Sequence, residues 1–226
     1  MREIIFDTET TGLDPLQGHR VVEIGCVELI NHMPTGRTYQ AYLNPEREMP
    51  TEASMVHGLT DEFLAKQPIF AEVVEQFLEF IGDAPLVAHN ANFDMNFINA
   101  ELSRTGFPRL PLHRAIDTVM MARKMFPGAP ASLDALCKRF GVDTSNRQLH
   151  GALLDARLLA DVYLELRGGR QPDLAITTTA VAEDISSDDI QKREHRAART
   201  HLASDEELKA HEAFLAQIKE PLWKRA

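Results

Sequence analysis

The sequence predicts an α/β fold, a mixed β-sheet flanked by helices, followed by a separate tail. Three observations predict it. Three strand-like runs follow one another near the N-terminus, further short apolar runs then alternate with segments of helical periodicity, and the pattern breaks at Gly168-Gly169-Arg170. A meander followed by strand–helix alternation makes a mixed sheet with helices laid over it.

Each element has its own local reason. Residues 3–6, Glu-Ile-Ile-Phe, read as a short buried strand running into Asp7. Residues 21–30 and 37–43 make the next two strands, with Pro34-Thr35-Gly36 as the turn between them. Val74, Phe77, Leu78 and Ile81 share one face of a helix over 71–81. Leu86-Val87-Ala88 is another short strand, entered from Gly82-Asp83-Ala84-Pro85. A helix follows over 92–104, then a strand near 113–117 and helices over 118–125, 132–140 and 151–167. Residues 1–170 thus form the first domain.

From 171 to about 200 the chain carries a threonine triplet, small residues and charge of both signs, which reads as a flexible linker. Ser204 and Glu207 form a capping-box pattern that starts a helix in the tail, 201–226. Leu208, Leu215, Ile218 and Leu222 mark its apolar face, Pro221 closes it, and Trp223 stands near the end.

Composition narrows the classes. Of 226 residues, 44% are hydrophobic and 26% charged, which excludes a wholly disordered or fibrous chain. No apolar run is long enough to span a bilayer, so no membrane association is expected, and the N-terminus lacks the pattern of a secretory signal. Cys26 and Cys137 are unclustered, which suits a reducing cytoplasm better than a disulfide scaffold or a zinc site. Lys and Arg total 24 against 34 Asp and Glu, a net charge of −10. That balance argues against holding a long duplex by cationic attraction, yet allows a grip on one chain end where divalent cations supply the positive charge.

Three clusters carry chemistry. Asp7 and Glu9 lie two apart at a strand end, so both side chains point to one side. Paired carboxylates repel unless a cation lies between them, and oxygen-rich sites suit magnesium or manganese. Thr10-Thr11-Gly12 adds hydroxyls, backbone N–H groups and a permissive glycine where a phosphate or sugar could approach. The second cluster, Val87-Ala88-His89-Asn90-Ala91-Asn92-Phe93-Asp94, opens from a strand into a helix with Asp94 in its first turn. The third is His150-Gly151-Ala152-Leu153-Leu154-Asp155. On one continuous helix its His and Asp would stand ~140° apart, so a shared site requires His150 in the loop or first turn and Asp155 on the helix. Asp117, at a strand end, is expected to cap the following helix rather than bind metal.

In order, these motifs resemble those of the DEDD superfamily of 3′-to-5′ exonucleases, in its histidine-containing branch, over residues 3–166. The resemblance implies a ribonuclease-H-like fold with a five-stranded mixed sheet. It implies that Asp7, Glu9, Asp94 and Asp155 hold two Mg2+ or Mn2+ ions, with His150 as general base and nucleoside 5′-monophosphates as products. It also places Glu52 and His57, in the stretch 50–60, beside the terminal nucleotide. His89, Asn90 and Phe93 would line the path of the penultimate one, with Phe93 equally suited to the core, and Asp7, Glu9, Thr10, Thr11 and Asp155 would touch the substrate.

The tail points to partners. Gln171-Pro172-Asp173-Leu174-Ala175-Ile176 resembles the short peptide with which bacterial replication proteins bind the β sliding clamp, through Gln171, Leu174 and Ile176. Ile176 departs from the more usual phenylalanine or leucine. An amphipathic helix ending in Trp223 suits anchoring to another protein. Together these features resemble the proofreading exonuclease subunits of bacterial replicases. This implies a frayed or single-stranded DNA 3′ end as substrate, and the DNA polymerase III α subunit and the sliding clamp as partners. An RNA-trimming exonuclease of the same superfamily and a non-catalytic interaction module are the competing expectations.

Overall fold

The computed structural model describes residues 1–145, 149–169 and 203–218. The chain divides into two units, Met1–Ala175 and Ile176–Ala226. In the first, five strands form one sheet: β1 (Arg2–Thr10), β2 (Val21–Ile30), β3 (Met33–Tyr42), β4 (Leu86–Ala88) and β5 (Ala115–Asp117). Among the described residues seven α-helices accompany them: α1 (Thr51–His57), α2 (Asp61–Leu64), α3 (Phe70–Ile81), α4 (Ala91–Arg104), α5 (Thr118–Met125), α6 (Leu133–Phe140) and α7 (Ala152–Leu166).

The strand order is β3-β2-β1-β4-β5. β1 pairs antiparallel with β2 and parallel with β4, and β4 is parallel to β5. The sheet is therefore mixed, as expected, and the carboxyl ends of β1, β4 and β5 lie along one edge of it. Alternation along β1 sends Ile4 and Phe6 into a core with α3 and α4. Ile5 goes the other way, into a core with α5, α6 and α7. Glu3, Asp7 and Glu9 share that second face by the same period of two.

The strand–strand turn after β2 differs from the sequence reading. Asn31 and His32 both adopt left-handed backbone, with φ 52° and 66°, and make the reversal. Pro34 lies within β3, paired with Leu29 beside a register shift. A tight hairpin needs two left-handed residues, which Asn supplies readily, and a proline is tolerated on an edge strand because it owes no N–H to a neighbour. α1 and α2 fall where the sequence offers too short a period to declare a helix.

In the second unit the described element is α8 (Asp205–Gln217). It opens with the expected reciprocal cap: Ser204 Oγ accepts from Glu207 N, and Glu207 Oε2 accepts from Ser204 N at 2.8 Å. The helix ends at Gln217, and Ile218 is already extended. The expected apolar face is thus shortened, with Leu215 buried and Leu208 half exposed. The linker, the clamp-like residues Gln171, Leu174 and Ile176, and Pro221, Leu222 and Trp223 lie outside the described residues. Among the described residues no helix is long and apolar enough to cross a membrane. Cys26 and Cys137 are buried and form no disulfide.

Candidate active site

The site is built where β1 and β4 end, between α4 on one face of the sheet and α7 on the other. β1 runs further than its apolar core and carries Asp7 and Glu9 to the sheet edge. Opposite them in register on β2 stand Gly25 and Glu23. Gly25 admits α7: a Cβ there would lie 2.2 Å from the backbone of Ala152 and Leu153. Nothing larger than a hydrogen fits at that contact, and the first turn of α7 is thereby laid beside Asp7 and Glu9.

His150 lies in the loop before α7 and Asp155 in its first turn, as the spacing requires. His150 Nδ1 is 3.1 Å from Asp155 Oδ2. A carboxylate only accepts, so in this pair Nδ1 carries the proton and Nε2 is the basic nitrogen. The imidazole is about half exposed while Asp155 is buried. Glu9, His150 and Asp155 each offer a ligand atom, and these atoms lie within 4.8 Å of one another.

Asp94 reaches the same edge from α4. It is buried, and Thr8 Oγ1, pointing to the α4 face of β1, donates to its Oδ1 at 2.7 Å. α4 is tied to the start of β2 by Arg20, whose Nε and Nη2 fork onto the buried Glu101 at 2.7 and 2.9 Å. Left-handed Asn90, φ 71°, turns the chain from β4 into α4.

Charge crowding dominates the electrostatics. Burial pushes the Asp7 carboxyl well above its usual range, and the charges of Asp94, Glu9, Asp155 and Glu23 push it further. Burial raises Asp94 to about 7, against the hydrogen bond from Thr8. Hard oxygen donors gathered at one sheet edge fit a divalent cation of the magnesium or manganese kind.

Apart from Asp7 and Asp155, the expected substrate residues fall along two cavities. One, of about 600 Å³, is lined by Glu9, Thr10, Thr11, Glu52, His57 and Phe93, among others. Its wall at α1 holds exposed Glu52 and buried His57. His57 Nδ1 accepts from Leu59 N at 3.1 Å, and burial, chiefly, holds its pKa below the ordinary value. The ring is therefore neutral near pH 7 with its proton on Nε2. The second cavity, of about 710 Å³, is lined by His89, Asn90, Asp117 and Arg123, among others. His89 Nδ1 is 2.9 Å from Thr118 Oγ1. Phe93 serves both expectations, packing against the core beside Phe97 while facing the first cavity.

Local packing also engages the Thr10-Thr11-Gly12 stretch. A Cβ on Gly12 would meet the His19 ring at 2.3 Å, and Gly12 itself lines the first cavity. The hydroxyls of Thr10 and Thr11 brace the loop: Thr10 donates to Gly12 O at 2.6 Å, and Thr11 Oγ1 accepts from Arg20 N at 3.0 Å and sits 3.1 Å from His19 Nδ1. Asp117 caps α5 as expected, accepting from Val119 N at 2.8 Å. Glu23 escaped sequence reading, because a glutamate inside a strand of alternating pattern carries no local mark of burial.

The sequence matches the exonuclease family (RNase_T) over residues 4–163. The chain belongs to that family. Its relatives include DNA polymerase III subunit epsilon of Rickettsia conorii, 50% identical over 222 residues that cover 96% of each chain. The subunit epsilon of Escherichia coli K12 is 44% identical over 95% of this chain and 92% of its own. Exonuclease X, solved in complex with 5′ overhanging duplex DNA, superposes with TM-score 0.57 at 27% identity, over 73% of this chain and 90% of that one. The nuclease domain of 3′hExo, a DEDDh family member solved with rAMP, gives TM-score 0.64 at 19% identity, over 74% and 92%, and so shares the fold. The exonuclease is a 3′-to-5′ enzyme with a ribonuclease-H-like fold, and divalent metal dependence is general to its kind.

Proposed function

We propose that this exonuclease proofreads for a bacterial DNA polymerase III, removing mispaired 3′-terminal nucleotides as 5′-monophosphates. One observation carries the reading: the likeness to epsilon subunits runs over 96% of the chain, and so takes in residues beyond the hydrolytic unit. Association with the polymerase α subunit through 201–226 and with the sliding clamp through Gln171, Leu174 and Ile176 belongs to the same proposal. Tethering to partners that hold the duplex explains how a chain of net charge −10 serves DNA: it grips only a frayed end.

Asp7, Glu9, Asp94 and Asp155 hold two magnesium or manganese ions, which when bound supply Lewis-acid activation of the scissile phosphate and its attacking water. The chain's own residues do the rest. His150, oriented through Nδ1 by Asp155, takes the proton of the attacking water at Nε2. His57 donates from Nε2 to the terminal nucleotide, and Glu52 accepts from its 3′ hydroxyl. Phe93 supports the nucleotide's apolar side, while His89 and Asn90 border the path of the penultimate one.

The test is end-labelled single-stranded DNA incubated with purified protein, with and without Mg2+ or Mn2+. Metal-dependent release of 5′-monophosphates from the 3′ end, abolished by Asp7→Ala, is expected. RNA degraded faster than DNA would instead favour an RNA-trimming enzyme.

A further inference from the structure

Among the described residues the buried carboxylate of Glu23 has no salt-bridge partner, yet it contacts the helix that carries Asp155 and follows His150. It is 2% exposed. Its Oε2 accepts from the backbone N–H of Ala152 at 3.1 Å, and its Oε1 accepts from Gln40 Nε2 at 2.8 Å. Gln40 also donates to Tyr42 Oη at 3.0 Å, so the arm that holds Glu23 is itself held. Ala152 is the first residue of α7, two after His150 and three before Asp155.

A carboxylate at this place is costly. It sits across the strand pair from Glu9 and adds to the charge that already loads Asp7. An apolar side chain would relieve that repulsion but leave a buried N–H at the helix start without an acceptor. A negative charge also meets the positive end of the α7 dipole and makes a charge-assisted hydrogen bond. Two residues on, Gly25 sets how closely α7 approaches. Gly25 fixes the height of the helix over the sheet, and Glu23 fixes its first turn.

We propose that Glu23 is a positioning residue for hydrolysis: by holding the first N–H of α7, it sets the loop that presents His150 and the turn that presents Asp155. The proposal rests on the reading of His150 and Asp155 as site residues. A comparison at the other end of the same helix isolates it, since Tyr163 Oη donates to buried Glu3 at 2.7 Å. Tyr163→Phe removes a buried contact of α7 without touching its first turn.

The experiment compares wild type, Glu23→Ala, Glu23→Gln and Tyr163→Phe in the full chain. Amide hydrogen exchange at Ala152 is followed in metal-free protein, and kcat and KM are measured on a short oligonucleotide with Mg2+. In Glu23→Ala, exchange at Ala152 rises and kcat falls, each by about tenfold or more, with KM little changed. Glu23→Gln keeps one acceptor oxygen and shows a several-fold change in the same two readouts, so it carries the test if the alanine variant does not fold. Tyr163→Phe loses thermal stability but keeps both. Ala152 exchange and kcat within about twofold of wild type in the Glu23 variants would overturn the proposal, as would equal kcat losses in Tyr163→Phe. An inactive wild type with a protected Ala152 amide would instead count against the hydrolytic site while leaving the helix contact standing.

Discussion

His150 and Asp94 show how much a residue's surroundings decide. A lone histidine carries little information, but its Nδ1 contact with Asp155 and half-exposed ring leave Nε2 as a base at the open edge of the sheet. His150→Ala is expected to lower turnover by about 10²–10⁴-fold, the usual worth of a positioned general base, with Mn2+ affinity by calorimetry changed only slightly. Unchanged turnover would remove it from the chemistry. Asp94, raised to about 7 from an ordinary 3.8, makes a pH prediction. Between those values the folded chain holds more protons than the unfolded one, so metal-free stability falls as pH rises through that window. Thermal melts should show a shallower decline from pH 4 to 7 in Asp94→Asn than in wild type. Equal slopes would mean that Asp94 titrates normally.

At the scale of elements, close contact places the site more than any single side chain does. α7 lies against β2 with its backbone where a Cβ of residue 25 would be. Gly25→Ala therefore has to lift the helix, since backbone cannot yield as a side-chain tip can. Overpacking of this kind costs about 1–3 kcal/mol, expected here as a melting point lower by roughly 3–10 °C. Oligonucleotide hydrolysis should fall out of proportion to that loss. The hairpin teaches a different lesson. Pro34-Thr35-Gly36 looks like the turn, but Asn31-His32 makes it, because pairing of Ile30 with Met33 and of Leu29 with Pro34 brings the strands together before Thr35 is reached. Turn residues compete, and the register of the neighbouring strand decides among them.

For the whole molecule, the two units allow the proposed assignment of hydrolysis to the first and attachment to the second to be tested separately. Deleting residues 200–226 is expected to spare degradation of short oligonucleotides and to abolish co-purification with a polymerase subunit. Equal co-purification of the shortened chain would refute the tail assignment. The first unit holds the expected acids at one sheet edge, and chain connectivity explains how. Parallel β1 and β4 end side by side, and the helices that follow them or pack on them start or pass at that end, so residues 7, 9, 94 and 155 meet.

Local signals in the chain were enough for the strand and helix types, the order of the acidic motifs and the loop position of His150, since each depends on periodicity or spacing within a few residues. Long-range packing chose what short spacing cannot encode. His19 packs where a Cβ of Gly12 would be, and the Thr10 and Thr11 hydroxyls brace their own loop at the wall of the first cavity. Glu23 carries no local mark of a role, and only the N–H of Ala152, 129 positions later in the chain, gives it one. Burial and hydrogen-bond partners are properties of the assembled sheet and its helices, and a side chain's task follows from them as much as from its chemistry.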